Sequence, residues 1–137
     1  MEWYTKAAEK DNGLGLCYLG VCYRDGVVTD MDNGKAIELF TKAADQGYAD
    51  GQWLLGAYYD FSEEEQDFDK AVLWYEKAVE QGHTIAQHAL GCCYYFGNGV
   101  EQDYEKAAEL FARSAEQGYE VAQYDLGYCY ENGKGVP

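Results

Sequence analysis

Apolar positions in this chain recur at helical spacing in two alternating patterns. The first is a Leu-Gly pair followed a turn later by an aromatic residue: Leu19-Gly20 with Tyr23, Leu55-Gly56 with Tyr59, Leu90-Gly91 with Tyr94, and Leu126-Gly127 with Tyr130. These leucines stand 36, 35 and 36 residues apart, and a fixed period in that range marks a stacked array of helical repeats. The second pattern lies between the first: an Ala, an aromatic or apolar pair, then a small pair. It reads Ala36, Leu39-Phe40, Ala43-Ala44, then Ala71, Trp74-Tyr75, Ala78-Val79, then Ala107, Leu110-Phe111, Ser114-Ala115, and Trp3-Tyr4 with Ala7-Ala8 is its tail at the start of the chain. From the Ala, the pair is one helical turn away and the small pair two, so all share one face.

Two helices per repeat follow. Leu-Gly helices are predicted over about 14–25, 50–61, 85–96 and 121–132, and second helices over about 32–46, 67–81 and 103–117, with 1–10 the remainder of an earlier one. Asp32, Asp67 and Asp103, each four residues before the signature Ala, are placed to cap the second helices by accepting from free N–H groups. Gly47, Gly82 and Gly118 end those helices, with Asp11 in the corresponding place near the start, and Gly26, Gly97 and Gly133 end the Leu-Gly helices. The glycines of the Leu-Gly pairs are expected to let paired helices approach closely, which offsets a helix penalty of about 1 kcal/mol. Repeat two departs from the pattern at Asp60-Phe61-Ser62-Glu63-Glu64-Glu65, where its connection is one residue shorter and a locally different linker is expected.

These residues resemble the Sel1-like repeats, relatives of the tetratricopeptide repeats. The likeness rests on the Leu-Gly-x-x-Tyr segments, on Gly97-Asn98-Gly99-Val100 and Gly133-Lys134-Gly135-Val136, on Asp103-Tyr104-Glu105-Lys106-Ala107, and on Glu116-Gln117-Gly118. It implies an all-α, right-handed α/α superhelix in one array. Its parts would be a partial second helix over 1–13, repeats over 14–49, 50–84 and 85–120, and a partial repeat over 121–137. Such a solenoid draws its stability from neighbouring repeats and hosts many functions.

In the tetratricopeptide relatives the first helices line a concave groove. Carried over, the resemblance places there Leu14, Cys17, Val21, Arg24 and Asp25 from repeat one, and Asp50, Trp53, Ala57, Asp60 and Phe61 from repeat two. Ile85, His88, Cys92, Tyr95 and Phe96 follow from repeat three, and Val121, Tyr124, Tyr128, Glu131 and Asn132 from the last. Trp53, Phe61, Tyr95, Phe96, Tyr124 and Tyr128 would supply aromatic anchors for a peptide, with His88 as a polar neighbour and Asp60 and Glu131 as rim carboxylates for Lys or Arg of a ligand.

Composition narrows the partners. The chain carries 25 Asp and Glu against 10 Lys and Arg, a net charge of −15, which repels phosphate backbones and anionic lipid surfaces and favours a basic protein or peptide. With 47% hydrophobic and 16% aromatic residues it is far from a disordered composition. No apolar run approaches a membrane span, and the N-terminus lacks a signal core, so a cytoplasmic protein is expected. Met1 falls inside a helical unit and Pro137 in a linker, so both ends read as cut points in a longer protein. The uncapped ends of such an array should favour end-to-end association.

The candidate chemistry is sparse. Cys22, Cys93 and Cys129 share one repeat position, and helix axes about 8 to 10 Å apart put equivalent thiols beyond comfortable disulfide reach, so free thiols and a reducing compartment are expected. Cys17 and Cys92 complete the five cysteines, whose spacing suggests no zinc site. The acidic run from Asp60 to Asp69 lacks the turn glycine and alternating spacing of a calcium loop. The only serines, Ser62 and Ser114, have no Lys three residues on, and His83 falls at a helix entry. Cys92 lies one turn after His88, but no orienting third group or oxyanion donor can be named from the sequence.

The sequence therefore reads as a non-catalytic interaction scaffold without cofactor or metal, binding a protein or peptide in an aromatic concave groove. A second reading is a cell-envelope protein that binds or hydrolyses β-lactams or peptidoglycan, as described for cysteine-rich members of the family. Those members carry cysteine pairs joining the helices of each repeat, and this chain has no Cys in a second helix. A third is an interior spacer of a larger repeat protein.

Overall fold

The computed structural model describes Val21 and residues 33–136. Within that span the chain forms six helices of 13 residues each: α1 (Asn33–Asp45), α2 (Ala49–Phe61), α3 (Phe68–Glu80), α4 (Thr84–Phe96), α5 (Tyr104–Glu116) and α6 (Glu120–Asn132). All six bounds agree with the predicted ones to within a residue, and no strand occurs among the described residues. Each helix packs chiefly on its neighbours in sequence, and the array is a right-handed α/α superhelix. The predicted helices over 1–10 and 14–25, the first repeat's anchor Leu19-Gly20, its groove positions Leu14, Cys17, Arg24 and Asp25, the cap Asp32, the helix-end positions Asp11 and Gly26, and Cys22 lie outside the described residues.

The core is built by the second member of each aromatic pair. Phe40, Tyr75 and Phe111 are buried, and each joins the small residues of its own helix to the Leu-Gly helix beside it. Burying one such ring is worth roughly 1.5 to 3 kcal/mol relative to leaving it exposed. Trp74, the first member of its pair, instead lies half-buried at the edge of the first core cluster, with the Lys77 ammonium 4.6 Å from its ring centre. A Cβ placed on Gly56 would sit 2.7 Å from the Tyr75 ring, and one on Gly91 would sit 2.8 Å from the Phe111 ring. The expected close approach is thus made against an aromatic side chain, in both repeats.

Asp67 and Asp103 cap α3 and α5, accepting from the backbone N–H of Lys70 and Lys106 at 3.2 and 3.1 Å. Gly82 and Gly118 turn the chain out of those helices at φ of 78° and 91°. The repeat-two linker differs as its sequence predicts. Helix α4 ends on Gly97 in the left-handed region, whereas α2 exits through an extended Ser62 whose hydroxyl accepts from the Glu65 N–H at 3.1 Å. Both connections then rejoin the same scheme, with Asp67 and Asp103 donating their N–H to the carbonyls of Tyr59 and Tyr94 at 2.8 and 2.9 Å.

A glutamine tie recurs as well. Gln81 donates to the side chain of Gln52 and the carbonyl of Gly47, both at 2.9 Å, and Gln117 donates to Gln87 at 2.7 Å. Gln52 and Gln87 are buried, and these bonds satisfy amides that would otherwise destabilise the interior.

Candidate recognition cleft

One face of α4 carries His88, Cys92, Tyr95 and Phe96, spaced so that Cys92 stands a turn above His88, and Tyr95 and Phe96 side by side a turn above Cys92. Helix α6, one repeat later, presents Tyr124, Asp125 and Tyr128 opposite them. Between the two helices lies a cleft of about 460 Å³ lined by Cys92, Tyr95, Phe96, Tyr124, Asp125 and Tyr128, with Phe111 of α5 beneath. Its rings are ordered by one another. Tyr95 meets Phe96 edge to face and Tyr104 at a tilt, both at 5.0 Å between centroids, and reaches Phe111 at 6.5 Å. Phe96, Tyr124 and Tyr128 are exposed, at 66%, 76% and 47%.

Four of the nine predicted contact residues, Tyr95, Phe96, Tyr124 and Tyr128, therefore come together around one opening. Glu131 is exposed on the last turn of α6, and Phe61 is exposed at the end of α2. Trp53 is placed differently from the expectation: it is half-buried, packs against two core clusters, and stacks on His83 at 5.3 Å. His83 in turn accepts from the Ala86 N–H through Nδ1, so its Nε2 carries the proton and donates to Asp50 at 2.7 Å. Asp60 is turned from the rim toward the interior, where it accepts from the Tyr75 hydroxyl at 2.9 Å. Burial raises the Asp60 carboxyl above its ordinary range, partly offset by that hydrogen bond.

His88 is held rather than free. Its ring lies 5.3 Å from Phe111 and 5.4 Å from Tyr119, and its Nε2 is 2.6 Å from an Asp125 carboxylate oxygen. Cys92 Sγ stands 3.6 Å from the same nitrogen. Burial, with the Asp125 and Asp60 carboxylates adding to it, pushes the Cys92 thiol up to about 12, so at neutral pH it is a protonated thiol and a poor nucleophile. Asp125 had no role in the sequence reading. Its signal is a carboxylate at the repeat position filled by Tyr18, Leu54 and Ala89 elsewhere. Cys92, Cys93 and Cys129 are free, and Cys93 and Cys129 are buried.

A helix-pair solenoid with an open aromatic face belongs to the class of repeat scaffolds, and comparison with known proteins fixes the family. The Sel1 repeat model matches residues 1–12, 13–48, 49–83, 84–119 and 121–137, so the chain belongs to the Sel1 repeat family. Solenoids of this family are generally non-catalytic scaffolds for protein–protein interaction. The chain is similar to a protective antigen of uropathogenic Escherichia coli displaying an SLR fold, with a TM-score of 0.91 and 37% identity over 98% of this chain and 29% of that one. It is similar also to a Sel1 repeat protein from Oxalobacter formigenes, with a TM-score of 0.89 and 32% identity over 98% of this chain and 56% of that one. The likeness to Helicobacter pylori cysteine rich protein B has a TM-score of 0.70 and 25% identity, over 91% of this chain and 90% of that one. No curated protein matches the sequence. The chain thus spans less than two thirds of the first two proteins. Among the described residues no helix is long and apolar enough to cross a membrane.

Proposed function

We propose that this chain is a recognition scaffold that holds an extended, basic segment of a partner protein in the aromatic cleft between α4 and α6. The observation that carries this reading is the convergence of Tyr95, Phe96, Tyr124 and Tyr128 on one open cleft. Phe96, Tyr124 and Tyr128 are exposed there and share one concave opening, where contiguous aromatic surface marks an interaction site. A cleft of this size accommodates one or two large side chains and not a folded domain, which favours a peptide-like ligand with apolar anchors. Tyrosine supplies such contact area at low conformational-entropy cost. Asp125 in the cleft wall and the exposed Glu131 on the last turn of α6, within a chain of net charge −15, favour Lys or Arg flanking those anchors.

Selection of a random displayed-peptide library on the chain tests the reading. Enrichment of peptides joining an aromatic or aliphatic anchor to basic residues, lost on Tyr124→Ala/Tyr128→Ala, is expected. Binding that ignores that double variant would move recognition elsewhere.

The envelope reading draws its support from the likeness to the Helicobacter pylori cysteine rich protein. Against it, Cys92, Cys93 and Cys129 all stand on Leu-Gly helices, so they offer no pair joining the two helices of a repeat.

A further inference from the structure

We infer that His88, Cys92 and Asp125 form a binding site for a divalent cation of the zinc class at the wall of the cleft, tying α4 to α6. The donor atoms of the three side chains, one nitrogen, one sulfur and one oxygen, all lie within 4.8 Å of one another. The nitrogen–sulfur separation already matches that of a metal site. Tetrahedral zinc with bonds of about 2.0 to 2.1 Å to nitrogen and oxygen and about 2.3 Å to sulfur sets its nitrogen and sulfur ligands roughly 3.6 Å apart. Nε2 of His88 and Sγ of Cys92 stand 3.6 Å apart. The same geometry sets nitrogen and oxygen about 3.3 Å apart, so the 2.6 Å hydrogen bond between His88 and Asp125 would open by about 0.7 Å as the ion replaced its proton.

The arrangement does not suit nucleophilic catalysis. A Cys-His-Asp relay puts the thiol on one imidazole nitrogen and the carboxylate on the other. Here Nε2 is the nitrogen nearer to both. Donors gathered around one point are what a cation requires. The mixture of imidazole, carboxylate and a thiol that releases its proton to solvent as the ion binds selects zinc or cobalt over magnesium or calcium, which take oxygen ligands.

Position within the repeats provides a second, independent observation. The sites equivalent to His88 hold Cys17, Trp53 and Tyr124, those equivalent to Cys92 hold Val21, Ala57 and Tyr128, and those equivalent to Asp125 hold Tyr18, Leu54 and Ala89. Cys92 and Asp125 thus stand where the other repeats hold only apolar or aromatic residues, His88 does so against Trp53 and Tyr124, and the three meet at the α4–α6 layer. The His88 and Asp125 side chains are only 14% and 33% exposed, and Phe111 and Tyr119 fix the imidazole from two sides. Because Cys92 and Asp125 also line the cleft, the fourth coordination position opens into it, available to water or to a donor from a bound partner.

Titration of the full, reduced chain with cobalt(II) tests the site, read by thiolate-to-metal charge-transfer absorption and the visible bands of four-coordinate cobalt. Saturation at one cobalt per chain, displacement by zinc, loss of the charge-transfer band in Cys92→Ser, and at least tenfold weaker binding in His88→Gln and Asp125→Asn are expected. Asp125→Asn keeps size and shape at a partly exposed position, so with an unchanged circular dichroism spectrum it separates lost coordination from lost folding. Zinc should raise the thermal midpoint of the wild type and not that of Asp125→Asn. Absence of a thiolate band, its survival in Cys92→Ser, or binding indifferent to His88→Gln and Asp125→Asn would overturn the inference.

Discussion

Helices α2 and α6 carry one sequence pattern two repeats apart, and equivalent residues meet different surroundings. A Cβ on Gly56 would strike the Tyr75 ring, while one on Gly127 would have no atom within 4 Å. Leu55 is buried and Leu126 half-buried, and Tyr59 lies half-buried under the Lys70 ammonium where Tyr130 is exposed. Trp53 is wedged between two core clusters, and its counterpart Tyr124 is largely in water. Periodicity sets which face of a helix is apolar; Gly56 and Trp53 meet residues of the helices that follow them, whereas no described helix follows α6 to meet Gly127 and Tyr124.

The largest expected effect separates Trp53 from Tyr124. Trp53→Ala removes a ring shared by two clusters and should cost about 3 kcal/mol in denaturant unfolding, near the low end for buried aromatics. Tyr124→Ala should cost under about 0.5 kcal/mol, as surface changes do. Equal costs would erase the distinction between enclosed and open repeats.

The glycines sharpen it further. Gly91→Ala drives a methyl to within 2.8 Å of the Phe111 ring and 3.3 Å of the Ala107 carbonyl, and overpacking of that kind costs about 1 to 3 kcal/mol. Gly127→Ala meets open space and should instead stabilise by roughly 0.5 to 1 kcal/mol through helix propensity. Opposite signs in thermal melts are the result to look for, and a shared sign would mean the α4–α5 approach is looser than described.

The smallest effect concerns Asp60, which repeat two places where repeat three has Tyr95. Its carboxyl is raised by burial, so the folded chain holds this proton more tightly than the unfolded one. The associated stability is fully present below the ordinary Asp range and is lost as pH rises through the raised value. Asp60→Asn should accordingly melt slightly higher than the wild type at neutral pH, with the advantage fading in acid. A wild type that is the more stable at neutral pH would mean the Tyr75 hydrogen bond outweighs the burial.

Helix bounds, aspartate caps and the altered repeat-two linker were legible because each is local, fixed by periodicity and by the few residues that satisfy a helix end. The glutamine ties were legible in principle, since Gln52, Gln87 and Gln123 precede each Leu by three residues, but their partners lie about thirty residues away. Trp53 and Asp60 went differently because a face assigned from one helix does not say what the adjoining helix supplies. Trp53 found His83 and two cores, and Asp60 found the Tyr75 hydroxyl. Asp125 meets His88 across 37 residues, a juxtaposition set by superhelical stacking and visible in sequence only as a break in an apolar repeat position.

The central claim is that the α4–α6 cleft binds a basic peptide segment. It is tested most directly by calorimetric affinities of one library-selected peptide for the wild type, for Tyr124→Ala/Tyr128→Ala, and for Leu73→Ala, an exposed apolar residue on the second helix α3. A loss of tenfold or more in the cleft variant, about 1.4 kcal/mol, with Leu73→Ala unchanged, is the predicted result. Undiminished affinity in the cleft variant, or no peptide selected at all, would contradict it and leave the chain as a spacer within a larger array.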